Sequence, residues 1–174
     1  SPDPRYLLFP AELKVAKSMR PLLNRPRFEV TFDRRFDEVL QACATAPRPG
    51  VEGTWITPDM AAAYHRLHVA GYAHSVEVWS HGALAGGLYG VSLGRAFFGE
   101  SMFARESNAS KFGFITLVRT LQSRQFHFVD CQVHTDHLAR LGARPVPRKE
   151  FLARLARALE EETLRGDWGS VLSP

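Results

Sequence analysis

The spacing of apolar residues along the chain predicts several helices. The longest spans 108–124 and has one apolar stripe, formed by Phe114, Leu117, Val118 and Leu121. A threonine followed by a proline at 57–58 is typical of a helix start, and the glycine at 71 is typical of a helix end. Shorter helices are predicted over 11–23, 36–44, 134–141 and 148–164.

Alternating or uninterrupted apolar positions predict a strand-rich middle of the chain. The predicted strands span 27–32, 75–79, 84–93, 95–100 and 126–133. His81 and Gly82 separate two of them and predict a hairpin turn. The order hairpin, strand, helix, strand, helix is that of an N-acyltransferase core. We therefore expect one domain over residues 1–174 with an α/β (α+β), GNAT-like fold, in which helices flank a mixed twisted sheet.

The composition favours a globular protein in a reducing compartment. Hydrophobic residues make up 45% and charged residues 23%, which argues against disorder. No apolar run approaches the ~20 residues that a membrane-spanning helix needs. The chain shows no secretory signal, and two cysteines, Cys43 and Cys131, form no disulfide framework. These features predict a cytoplasmic protein with no membrane partner.

The net charge of +4 is modest, but the cations are clustered. Five basic residues and no acid lie between positions 13 and 28, namely Lys14, Lys17, Arg20, Arg25 and Arg27. A second basic cluster, over 140–157, contains Glu150 as its sole acid. Such clusters favour a polyanionic partner through counterion release, although solvated helix faces give the same pattern.

Two strand ends carry candidate catalytic residues. Asp130 and Gln132 end one predicted strand and share a face there, because side chains alternate and Cys131 takes the other face. A carboxylate beside a carboxamide can hold an amine and accept or relay its proton. Glu100 ends another strand among apolar residues, where an acid needs a partner or a functional role. A structural salt bridge or cap is the alternative for each acid.

Two common chemistries have no motif in this sequence. The histidine groups His65 with His68, and His134 with Asp136 and His137, match no His-Glu-x-x-His or Cys-x-x-Cys pattern, so no metal is predicted. No Arg or Gln is followed three residues later by Gly, as the pyrophosphate-binding turn of acetyl-CoA enzymes requires. We therefore expect an acyl donor other than acetyl-CoA and no cofactor.

Nine short motifs follow one another in a fixed order. They are Ser-Pro-Asp-Pro-Arg (1–5), Glu-Gly-Thr-Trp-Ile-Thr (52–57), Ala-Tyr-His-Arg-Leu-His (63–68), Gly-Tyr-Ala-His-Ser (71–75), Gly-Gly-Leu-Tyr-Gly (86–90), Gly-Glu-Ser-Met-Phe (99–103), Asn-Ala-Ser-Lys (108–111), Asp-Cys-Gln (130–132) and Leu-Gly-Ala (141–143). As an ordered set they resemble the leucyl/phenylalanyl-tRNA–protein transferases. The resemblance runs from Ser1 to about Trp168, which is nearly the whole chain.

The resemblance implies an enzyme that moves Leu, Phe or, less well, Met from aminoacyl-tRNA to proteins beginning with Lys or Arg. The product is a degradation signal in the bacterial N-end rule pathway. The family's fold is an N-acyltransferase fold, and no metal or CoA is used. The resemblance also implies that Asp130 and Gln132 bind and orient the incoming α-amine. Glu100 would help to hold the acceptor, and Trp55 and Tyr64 would lie near the terminal adenosine of the tRNA.

Further site residues are implied by the same resemblance. The pocket for the carried side chain would be lined by Leu88, Met102, Phe114, Leu117, Leu121 and Val129. Relatives often have larger aromatic residues where this sequence has Leu117 and Leu121, which implies extra depth. The basic segment from Lys14 to Arg27 matches the tRNA-binding basic helix of the family. We expect a monomer.

The sequence departs from the family pattern in one respect. Relatives usually carry a small domain before the Ser-Pro-Asp-Pro segment, and this sequence has none. Three alternatives therefore stay open: a tRNA-binding domain without autonomous activity, a peptidoglycan-type aminoacyl transferase, and an acetyltransferase with an atypical CoA loop.

Overall fold

Seven strands form one mixed sheet in the computed structural model, which describes residues 2–24, 26–46 and 56–172. In chain order they are β1 (Arg5–Leu8), β2 (Glu29–Phe32), β3 (Ala73–Ser80), β4 (Ala83–Leu93), β5 (Ala96–Ala104), β6 (Phe128–Gln132) and β7 (Arg144–Val146). Across the sheet the order is β2-β3-β4-β5-β6-β1-β7. Among the strand pairs of the described residues, β5 and β6 are parallel and the others are antiparallel.

Helices cover both faces of the sheet. Those within the described residues are α1 (Arg20–Asn24), α2 (Phe36–Thr45), α3 (Pro58–Val69), α4 (Ala109–Ser123), α5 (Asp136–Arg140), α6 (Arg148–Leu159) and α7 (Trp168–Val171). The long helix α4 packs on β3, β4 and β5 from one side, whereas α2 and α3 pack on the other. Alternation along β4 feeds both layers, because Leu88 joins the core beneath α4 while the next residue, Tyr89, packs against Phe36 of α2.

Most local signals in the sequence are confirmed. The β3–β4 hairpin turns at His81 and Gly82, whose φ angles of 51° and 78° suit the right-handed twist of the paired strands. The Thr57 side chain caps α3 by accepting a hydrogen bond from the backbone N–H of Met60 at 3.1 Å. Gly71 ends that helical segment with a φ of 89°. The mixed sheet with flanking helices confirms the predicted α/β (α+β) class.

The helix predicted over 11–23 is wrong. The segment contains two 3₁₀ turns, Pro10–Glu12 and Lys17–Met19, and a helix only from Arg20 onward. Pro21 lies in the first turn of α1, where a proline starts a helix instead of ending one. The helix predicted over 148–164 likewise ends earlier, at Leu159. The short strands β1 and β7 and the short helix α7 had no counterpart among the predicted elements.

The short helix α7 is anchored in the main core. Trp168 is fully buried, and its ring stacks on the buried His74 with 3.8 Å between the ring centroids. Asp33 contacts both residues, since its carboxylate accepts the backbone N–H of Trp168 at 2.8 Å and lies 2.6 Å from Nδ1 of His74. The end of the described chain is therefore fixed to β3 by both apolar packing and a buried polar contact.

Candidate active site

A cavity opens where β5 and β6 separate. The two strands pair in parallel from Ala96–Phe98 to Phe128–Asp130, after which each continues without the other. The cavity between them has a volume of about 420 Å³ and a wall of mostly apolar residues. Five of the predicted site residues line it: Leu88, Glu100, Met102, Phe114 and Val129. The splayed strands therefore bring one predicted acid beside four predicted pocket residues.

Two other predicted pocket residues lie behind this wall. Leu117 and Leu121 follow Phe114 on α4 by one and two helical turns, and both are fully buried in the main core. The cavity wall formed by the described residues does not include them. In this structure they shape the cavity only through the residues that pack on them. Trp55 and Arg25, which were also predicted site residues, lie outside the described residues.

Tyr64 of α3 and Glu100 of β5 meet at the edge of the cavity. Burial raises the pKa of the Tyr64 hydroxyl to about 12, and the charge and hydrogen bond of Glu100 add to the effect. The phenol is therefore protonated at neutral pH and donates its hydrogen bond to the Glu100 carboxylate. The Tyr64 ring packs edge-on against Tyr89 at 5.3 Å between centroids, which restricts where the hydroxyl can lie.

Asp130 and Gln132 are linked through the main chain. Asp130 is fully buried, and its carboxylate forms an ion pair with Arg5 of β1. Its other oxygen accepts the backbone N–H of Gln132 at 2.8 Å. Gln132 adopts a left-handed φ of 68°, and its side-chain amide donates to the carbonyl oxygen of Gly99 at 2.9 Å. Extended geometry thus ends at Cys131, and Gln132 reaches across the gap to β5.

The face of β6 that lines the cavity carries Val129 and Cys131. Burial raises the pKa of the Cys131 thiol to about 12, and the nearby Asp130 charge raises it further. Since a thiol is nucleophilic only as the thiolate, Cys131 serves as an apolar wall residue at neutral pH. Asp130 lies on the other side of the strand, so its carboxylate acts on the cavity through Gln132 and not by direct exposure.

The predicted tRNA-binding cations lie beside the cavity. Lys14, Lys17 and Arg20 are exposed, and the backbone N–H of Lys14 donates to the carbonyl of Leu141 just after α5 at 2.8 Å. Arg27 is also exposed but lies 3.6 Å from Glu106 in an ion pair. The segment is irregular where a helix was expected. Its cations nevertheless form an open basic surface next to the helix that borders the cavity.

Comparison with known proteins decides the family. A sequence model described as leucyl/phenylalanyl-tRNA protein transferase matches residues 7–156. A leucyl/phenylalanyl-tRNA–protein transferase of Anaeromyxobacter dehalogenans is 59% identical over 97% of this chain and 72% of that protein. One of Syntrophus aciditrophicus is 56% identical over 98% of this chain and 71% of that protein. The chain belongs to this family of transferases.

Solved structures confirm the predicted fold of this transferase family member. A GCN5-related N-acetyltransferase from Kribbella flavida superimposes with a TM-score of 0.50 and 11% identity, over 83% of this chain and 55% of that one. A conserved protein of unknown function from Bacteroides thetaiotaomicron gives a TM-score of 0.52 and 15% identity, over 83% and 56% of the two chains. At such low identity the likeness shows the N-acyltransferase architecture alone.

Several residues of this transferase site escaped the sequence prediction. Arg5 binds Asp130 from 125 positions away, and Ser101, Thr135, His137 and Leu138 line the cavity. Their positions within or next to the ordered family motifs were the available signal. Within the described residues there is no group of three metal-ligating side chains, and no helix there is long and apolar enough to cross a membrane.

Proposed function

We propose that this family member transfers Leu, Phe and, less well, Met from aminoacyl-tRNA to the N-terminal amine of proteins beginning with Lys or Arg, as in N-end rule degradation. The observation that carries the proposal is the apolar cavity with Glu100 and Tyr64 at its edge and Gln132 beside it. Aminoacyl-tRNA would be a co-substrate, with no further cofactor. Because that substrate is cytoplasmic, we place the protein there, and we expect a monomer.

The cavity suits the side chain of the carried amino acid. Leu88, Met102, Phe114 and Val129 offer no hydrogen-bond partner, so a charged or strongly polar side chain would lose its hydration without compensation. Leucine, phenylalanine and methionine side chains have no polar hydrogen-bonding demand and gain from burial. The ester that follows the side chain would then lie at the cavity mouth, where Glu100 also lies.

The polar residues suit alignment of an amine with that ester. In the reaction the amine nitrogen attacks the ester carbonyl carbon, an amide bond forms, the bond to the ribose oxygen breaks, and the amine proton ends on that oxygen. An α-amine with a pKa of about 7.7–8 is partly neutral at cellular pH. Alignment can therefore supply much of the rate, and no strong base is needed.

We assign these roles to the described residues. The Glu100 carboxylate, oriented by Tyr64, would hold the acceptor amine. Gln132 would orient the α-amine with the part of its amide that does not bind Gly99. Asp130 would act as a positioning residue, because Arg5 and the Gln132 backbone N–H already occupy its carboxylate oxygens. The pair thus supports alignment of the amine in preference to proton abstraction by Asp130.

A transfer assay tests this function and its donor preference together. The chain is incubated with labelled Leu-, Phe- or Ile-tRNA and a reporter protein that begins with Arg. We expect label to pass from Leu- and Phe-tRNA and only poorly from Ile-tRNA. A hydrophobic pocket distinguishes a single methylene by only about 1–3 kcal/mol, so rejection of the β-branched side chain must come from shape.

A pair of methionine variants serves as control for the donor preference. Met102→Ala enlarges the cavity and should bring Ile-tRNA closer to Leu-tRNA as a donor. Met60→Ala makes the same chemical change on the exposed side of α3 and should keep the ranking. Equal use of Ile- and Leu-tRNA by the unmodified chain would refute the pocket. Donor binding without any transfer would instead identify a tRNA-binding domain that lacks autonomous activity.

The basic segment makes a separate prediction about tRNA affinity. Joint replacement of Lys14, Lys17 and Arg20 by Ala should weaken binding whatever amino acid is attached. Each lost phosphate contact should also lower the slope of log affinity against log salt by about 0.7–0.9. Arg66→Ala with Arg119→Ala removes exposed cations from α3 and α4 and should leave the slope alone. An unchanged slope in the first variant would remove the segment from the tRNA site.

A further inference from the structure

Three cationic side chains cluster at one end of the cavity. His137 lines the cavity from α5, and Arg140 follows it by one helical turn. Lys111 precedes Phe114, another lining residue, by one turn of α4 and so lies on the same side of that helix. Neither Lys111 nor Arg140 forms an ion pair within the described residues. Two helices therefore direct positive charge to a single place.

The histidine of this cluster has unused hydrogen-bonding capacity. Its Nε2 atom is buried and has no hydrogen-bond partner in the described part of the chain. Partial burial lowers the pKa of His137, and the charges of Lys111 and then Arg140 lower it further. A buried polar atom without a partner costs free energy, and so does an assembly of like charges. A bound anion would relieve both.

The cavity beside the cluster restricts what that anion is. The proposed donor carries its amino acid on a ribose, and the same ribose carries a 5′ phosphate. A ligand whose apolar side chain lies against Phe114 and Leu138 therefore brings a phosphate within one nucleotide of His137. Arginine and lysine are the side chains that proteins use most for such phosphate contacts.

We propose that Lys111, His137 and Arg140 form a phosphate subsite for the 5′ phosphate of the nucleotide that carries the aminoacyl ester. The inference rests on the proposed function, because it takes aminoacyl-tRNA as the ligand of the cavity. The subsite would register the end of the tRNA relative to the apolar cavity. Its contribution should be independent of the Lys14–Arg20 surface, which would bind more distant phosphates.

Two small donor analogues test the subsite. Both carry phenylalanine on the adenosine ribose through a stable amide, and one of them also carries a 5′ phosphate. We expect the unmodified chain to bind the phosphorylated analogue about tenfold more tightly by calorimetry, as two or three charged hydrogen bonds imply. Lys111→Met and Arg140→Met should each remove most of this preference while leaving affinity for the unphosphorylated analogue intact.

A control on the same helix separates charge in general from this site. Arg119→Met removes an exposed cation from α4 two turns beyond Lys111 and should retain the phosphate preference. Absence of a preference in the unmodified chain, or its retention in Lys111→Met, would overturn the subsite. Failure of either analogue to bind would contradict the proposed donor cavity itself. Binding of both with equal affinity would contradict the phosphate subsite alone.

Discussion

Gln132→Ala is expected to slow aminoacyl transfer by about 100-fold or more, the scale of rate loss that misalignment in an active site produces. Gln132 crosses from β6 to the carbonyl of Gly99 and is the polar side chain placed to align the amine with the ester. The affinity for aminoacyl-tRNA should stay nearly unchanged, because the apolar cavity and the basic segment are left intact. Single-turnover transfer and equilibrium tRNA binding measure the two quantities separately.

Matched variants sharpen this test. Gln122→Ala makes the same change on the exposed surface of α4 and should transfer normally. Asp130→Ala should also lose transfer, but it leaves the Arg5 charge buried and unpaired, which costs about 3–5 kcal/mol of stability. Asp130→Asn keeps the shape of the side chain and separates positioning from folding. If the Gln132 and Asp130 variants lost tRNA affinity as much as they lost transfer, both assignments would fail.

Trp168→Ala should destabilise the fold by about 3–5 kcal/mol, as expected for removal of a fully buried aromatic side chain. The indole stacks on His74 and lies near Phe97 and Phe126, with centroid distances of 5.8 and 6.1 Å. Its ring N–H also donates to the Leu164 carbonyl at 2.8 Å. Urea unfolding followed by circular dichroism gives the free energy of unfolding directly.

A conservative substitution at the same position supplies the comparison. Trp168→Phe retains a ring against His74 but loses the N–H and part of the volume, so its loss should be smaller than that of Trp168→Ala. A loss below about 1 kcal/mol in Trp168→Ala is the range of exposed positions. Such a result would mean that α7 is not part of the cooperative core.

The sequence predicted those parts of the fold that local rules determine. The long α4 has a full apolar stripe, α3 has a threonine cap, and the β3–β4 hairpin has turn residues that favour a positive φ. The strands β1 and β7 have only 4 and 3 residues, too few for a period to show. They are strands because they pair with each other and with β6. Nothing local to them encodes that pairing.

The site was predictable to the same degree. Strand alternation correctly separated Asp130 from Cys131, but it did not reveal which side of the strand would line the cavity. That depends on where β5 and β6 diverge, which is a property of the whole sheet. An unpaired buried acid signalled that Glu100 needs a partner, yet only the packing of α3 identifies it as Tyr64. Arg5 is similarly tied to Asp130 through sheet order alone.

The place of β1 between β6 and β7 has a consequence for synthesis on the ribosome. Arg5 and its partner Asp130 are 125 positions apart, so the first strand of the described chain emerges long before either neighbour exists. Pairings at such separation form slowly, and until then both edges of the strand remain free to pair with other chains. The Asp130–Gln132 arrangement therefore assembles late, and a nascent chain that stops short of β6 cannot yet be active.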